Sequence, residues 1–156
     1  MADGEEIMIL VSACLSGRPC AHDGRSRLDA RALALAESGR GLPVCPEQLG
    51  GLPTPREPAE IVGGDGRDVL AGRARVLTAA GSDVTDAFLA GARQTLAVAR
   101  AHSCRQAILK TRSPSCGRGA IHDGSFSGNI RPGDGVTAAL LIEHGIRVVS
   151  EEDLEG

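Results

Sequence analysis

Apolar residues come in short blocks, separated by amphipathic or Gly/Pro-rich stretches. Residues 6–13 form an apolar, partly β-branched run with the length of a buried strand, and Gly17, Pro19 and Gly24 mark the loop after it. Leu28, Ala32, Leu35 and Ala36 recur at helical spacing, and Gly39 stops that helix. Residues 42–45 read as a second short strand. Val69–Leu70 and Ala74–Leu77, flanking Ala71-Gly72-Arg73, read as a small hairpin. Asp83 or Thr85 can cap a helix that presents Phe88, Leu89, Ala92, Leu96 and Ala99 on one face. Gln106–Leu109 predicts a third buried strand and Val136–His144 a helix ended by Gly145. Arg147–Val149 predicts a last strand before an acidic tail (Glu151, Glu152, Asp153, Glu155). Stretches 46–66 and 112–135 are rich in glycine with proline or serine and read as long loops, which in a compact domain are usually functional or disordered. Alternating strand and helix signals predict an α/β fold. The expectation is a single three-layer α/β/α domain over 1–156 with a mainly parallel sheet, Rossmann- or flavodoxin-like.

Composition narrows the partners. At 156 residues and 42% hydrophobic content the chain can bury a core without disulfides or a structural metal. Phe88 and Phe126 are its only aromatic residues besides four histidines, so stacking platforms for single-stranded nucleic acid are scarce. A net charge of −3 without a basic run argues against duplex binding. No apolar run approaches a membrane span, and the start of the sequence is acidic rather than signal-like. The expectation is a cytoplasmic protein with neither nucleic-acid nor membrane partner; nothing in the sequence encodes its assembly state. In a reducing compartment, five cysteines read as metal ligands or catalytic thiols rather than a disulfide framework.

Three of those cysteines, Cys14, Cys45 and Cys116, each follow a strand-like run and open a Gly/Pro or polar loop. In open α/β sheets ligands bind beyond the carboxyl ends of the strands. Three thiols meeting there suit zinc or an iron–sulfur cluster and leave one position open for chemistry. Cys20 sits in the loop after the first strand as a possible fourth thiol, whereas Cys104 reads as a packing residue. Glu47, two residues past Cys45, is placed for general acid or base work. Ser113 and Ser115 flank Cys116 and can orient a substrate or relay a proton. Lys110, the only lysine, offers a point charge at a strand end. The four histidines share no ligand spacing, and the glycine clusters fit no dinucleotide site. From these residues alone, a cluster enzyme, a cluster-free thiol enzyme with Cys116 as nucleophile and a zinc-stabilised binding module all stay open.

Val11-Ser12-Ala13-Cys14-Leu15-Ser16-Gly17, Cys20-Ala21-His22-Asp23-Gly24, the block from Pro43 through Cys45-Pro46-Glu47-Gln48 to Pro53-Thr54-Pro55-Arg56, and Leu109-Lys110-Thr111-Arg112-Ser113-Pro114-Ser115-Cys116-Gly117 together resemble the thiouracil desulfurase family. Asp83-Val84-Thr85, Phe88, Gly91, Ala92 and the segment Gly133–Thr137 continue the resemblance over nearly the whole chain. It implies a [4Fe–4S] cluster on Cys14, Cys45 and Cys116, with one iron left for the sulfur of a small thiolated base. It further implies that Glu47 and Ser113 handle protons, with Ser115 and Lys110 contacting substrate. The net reaction implied is hydrolytic desulfuration. Leu15-Ser16 and Ala21-His22 depart from the commoner family residues at those positions without touching an implied ligand.

Overall fold

In the computed structural model, which describes residues 8–153, the chain runs β1 (Ile9–Ser12), α1 (Ala30–Glu37), β2 (Gly41–Val44), α2 (Pro46–Leu49), β3 (Ala59–Val62), α3 (Gly66–Leu70), β4 (Arg75–Thr78), α4 (Thr85–Ala101), β5 (Gln106–Leu109), β6 (Ala120–His122), β7 (Ile130–Pro132), α5 (Val136–Glu143) and β8 (Arg147–Ser150). Short 3-10 turns at Ala13–Ser16 and Glu151–Asp153 follow β1 and β8.

The central sheet is parallel, in the order β2-β1-β5-β8. That is the flavodoxin-like order, with its topological switch point between β1 and β5. All four residues of β1 are buried, and their alternation divides the core. Ile9 and Val11 face α1 through Leu15, Ala32 and Ile108. Leu10 faces α4 and α5 through Leu96, Ala99, Ala138 and Leu141. Helices therefore cover both faces, as the alternating strand and helix signals predict. The registers Ser12↔Val44 and Leu109↔Ser150, with Val11↔Ile108 between them, bring all four strands to an end on one edge. Cys45, Lys110 and Glu151 are the next residues on their strands, and Cys14 is one further on.

Several expectations need correction. Stretch 46–66 is not one loop but holds α2 and β3. Residues 69–77 are not a hairpin: Val69–Leu70 close α3, and β4 pairs antiparallel with β3. The cause is a capping box, in which Asp65 Oδ1 accepts from the Asp68 amide (3.2 Å) while Asp68 Oδ2 accepts from the Asp65 amide (3.0 Å). That box starts a helix where the apolar pair alone suggests a strand. Leu28 lies ahead of α1, which is capped instead by Asp29. Stretch 112–135 contains the antiparallel pair β6–β7. Of the first run, residues 6 and 7 lie outside the described residues, as do 154–156 of the acidic tail.

Cys104 is 5% exposed and packs in the core beside Ala107 and Ile146. Cys104→Ala is expected to lower stability by about 1 kcal/mol and leave unchanged any metal held by the strand-end cysteines. Calorimetry and metal analysis together test this, and lost metal would add Cys104 to the ligand set. Among the described residues, no helix is long and apolar enough to cross a membrane.

Candidate active site at the sheet edge

Beyond the strand ends lies a cavity of about 450 Å³, bordered by Cys14, Cys20, Cys45, Cys116, Glu47, Ser113 and Lys110. That volume is within the range of small-molecule sites. The three strand-end thiols therefore share one cavity, and Cys20 joins them. Cys14, Cys20 and Cys45 are in hydrogen-bonding contact in that order. The bond with Cys14 is the main cause that pushes the Cys20 thiol up to about 11. The bond with Cys20, and then burial, pushes the Cys45 thiol up as well. The Cys45 thiol also points at the Cys20 carbonyl oxygen, 3.8 Å away.

Cys116 is 5% exposed, and burial pushes its thiol up to about 12 despite hydroxyl bonds from Ser12 and Ser115. A thiol held protonated in this way is a poor free nucleophile, because the thiolate is the reactive form. As a metal ligand it would have its proton displaced by the cation and released to solvent. The three strand-end thiols bordering one cavity are the soft donor set that an iron–sulfur cluster would take.

The turn that presents Cys116 is built from both ends. Ser113 Oγ accepts hydrogen bonds from the amides of Ser115 and Cys116, each at 3.0 Å. The first amides of α5 donate to the same turn: Val136 to Pro114 O (2.8 Å) and Thr137 to Ser115 O (2.9 Å). Helix donors that would otherwise be orphaned thus hold the ligand loop in place. Gly135 permits this approach, since a Cβ there would press on the Ser115 carbonyl.

Ser115 does not border the cavity. It is 1% exposed and pairs with Thr137 Oγ1 at 2.7 Å, which corrects the expectation of a substrate contact. Its hydroxyl pegs the turn to α5 and reaches the Cys116 sulfur. Lys110 does border the cavity, with Nζ 3.1 Å from Glu151 Oε2, while Glu151 Oε1 accepts from the Thr111 amide at 2.8 Å. The acidic tail thus begins as a brace for the β5 loop.

Glu47 lies on α2, whose first helical residue is Pro46, a position where the missing N–H costs nothing. The helix is pressed against α4 through two glycines. A Cβ on Gly91 would strike the Pro46 carbonyl oxygen, and one on Gly50 would strike that of Ala87. Glu47 Oε1 is 3.1 Å from Arg56 Nε, and the arginine side chain is 7% exposed.

The residue-by-residue reading passes over four groups at this cavity. Arg56 and His22 enter it only within motif blocks, the histidines His22 and His122 are given no role there, and Glu60 is not named, yet all four border the cavity. Glu60 is 9% exposed and accepts from the amides of Gly124 (2.9 Å) and Phe126 (3.2 Å), fixing the β6–β7 hairpin. Its only sequence signal is a carboxylate inside an otherwise apolar strand.

Comparison with known proteins places the chain. The family model described as 2-thiouracil desulfurase matches residues 9–153. A Bacillus subtilis (strain 168) protein named uncharacterized protein YbbK is 50% identical over 147 residues, 94% of this chain and 97% of that protein. A solved structure described as the [4Fe-4S]-dependent thiouracil desulfidase TudS matches with a TM-score of 0.84 at 45% identity, covering 96% of this chain and 93% of that one. With the match spanning every element around the cavity, the chain belongs to the 2-thiouracil desulfurase family.

Proposed function

We propose that this protein is an iron–sulfur-dependent desulfurase that replaces the sulfur of a thiolated pyrimidine, such as 2-thiouracil, with oxygen. The observation that carries the reading is the meeting of Cys14, Cys45, Cys116, Glu47 and Ser113 on one cavity beside the switch point of the sheet. Family membership and the likeness to a [4Fe-4S]-dependent thiouracil desulfidase support it independently.

Cys14, Cys45 and Cys116 would hold a [4Fe–4S] cluster, which fits the all-thiol donor set. When bound, the cluster supplies an iron free of protein thiolate, a soft acceptor for departing sulfur. The net change is thioamide plus water to amide plus hydrogen sulfide, with no net electron transfer. Glu47 takes a proton from the attacking water and returns one to the leaving group. The lone pairs of Ser113 Oγ are engaged by two amides, so its hydroxyl hydrogen is the part free to give. It is donated to a ring nitrogen or to charge developing on the base. Lys110, braced by Glu151, sets a fixed positive charge at the cavity wall.

Protein purified without oxygen is expected to be brown, to contain iron and acid-labile sulfide, and to release uracil and sulfide from 2-thiouracil. A colourless protein holding one zinc after attempted cluster reconstitution would overturn the reading. Cys20→Ser is expected to retain its iron, because Cys20 reaches the cavity from a loop rather than a strand end. Loss of iron in that variant would make the site a four-thiol one.

A further inference from the structure

From the contacts around α2 we infer that Arg56 is a positioning residue, aiming the Glu47 carboxylate into the cavity. Every nitrogen of its guanidinium is used. Nε donates to Glu47 Oε1 (3.1 Å), Nη2 to the Cys20 carbonyl (3.1 Å), and Nη1 to Thr54 Oγ1 (2.9 Å) and the Pro53 carbonyl (3.2 Å). The Arg56 amide donates to the His22 carbonyl at 2.7 Å. Thr54 Oγ1 also accepts from Gln48 Nε2 at 2.7 Å. The result is a closed ring in which Glu47 and Gln48 on α2 are tied through Thr54 and Arg56 to each other and to the loop that carries Cys20.

The geometry explains why arginine occupies this place. A rigid planar fork can meet a carboxylate on one edge and backbone carbonyls on the others, whereas a lysine offers one point charge on a flexible stem. A glutamate anchored only by its own rotamer would sweep several ångströms, and misplacement of a reacting group by about 1 Å can cost 10²-fold in rate. With one oxygen pinned by Arg56, the other is left to meet water. The contact with the Cys20 carbonyl, which also receives the Cys45 thiol, keeps this registration continuous with the thiol wall.

The inference rests on the reading of Glu47 as the proton-handling group, and a double-variant cycle in the anaerobically purified holoenzyme tests the two separately. Arg56→Gln is expected to lower kcat by about 10- to 100-fold, with iron content and KM close to the parent's. Arg56→Lys is expected to fall between the two. Adding Arg56→Gln to Glu47→Gln is expected to cost no further rate, since residues acting as one unit are not additive. An unchanged kcat in Arg56→Gln overturns the inference, as does a double variant whose loss is the product of the single losses. Iron lost from both Arg56 variants also overturns it, assigning Arg56 to building the thiol site instead. Full turnover in Glu47→Gln overturns the underlying reading rather than the pairing.

Discussion

Cys116→Ser is expected to fold normally and to purify without its iron. The substitution is nearly isosteric, and the buried hydroxyl it introduces finds partners already in place, because the Ser12 and Ser115 hydroxyls bond the sulfur it replaces. Its cost therefore falls on the metal. A serine oxygen is a harder donor than thiolate and is seldom ionised, so it competes poorly for iron that prefers sulfur. Near-parental thermal unfolding of the metal-free protein, combined with loss of the visible absorption of the anaerobically purified one, would isolate the ligand role. Full iron content in Cys116→Ser would remove Cys116 from the set. The same replacement at Cys14 or Cys45 is expected to act alike, because their thiols face the same cavity from adjacent strand ends.

Glu47→Gln is expected to keep the iron and to lose about 10²- to 10⁴-fold in turnover, the usual worth of a positioned acid or base. Glutamine preserves an oxygen for Arg56 to bond, so the ring of contacts around α2 survives. Alanine is the poorer test, because it also removes the acceptor and leaves a donor of an arginine whose side chain is only 7% exposed without a partner. Turnover near the parent's in Glu47→Gln would refute the role. Ser113 is harder to isolate, since Ser113→Ala removes both a hydroxyl proton and the acceptor that shapes the Cys116 turn.

The parallel sheet is legible in the sequence because its strands are buried on both faces and read as unbroken apolar runs. Each ends in polar or turn-forming residues, and the strand-end cysteines stand out for that reason. The β3–β4 pair is not legible in the same way. Its strands are separated by α3, so no local turn announces their antiparallel register. The apolar pair Val69–Leu70 looks like a strand until the Asp65–Asp68 capping box beside it is weighed. At the site, thiols and Glu47 are visible as residue types beside a strand end. Arg56 and Glu60 are not, because their roles come from hydrogen bonds to distant loops. Ser115 shows the opposite failure: a hydroxyl next to a proposed ligand faces a helix instead of the cavity, since neighbours on a tight turn point in different directions.

The contact between α2 and α4 has a consequence for how the site can change. At Gly50 and Gly91 the two helices meet backbone to backbone, with no side chain between them. Packing of that kind has no rotamers to adjust and no methyl group to add or remove. Elsewhere in the core, compensating substitutions can shift an element by fractions of an ångström. Here the separation is set by van der Waals contact between main-chain atoms, so the depth of Glu47 relative to the sheet behaves as a constant of the fold. Adaptation to a different thiolated base would have to come from lining side chains that can be exchanged, such as Ala21 and His22 in the loop after β1 and His122 on β6.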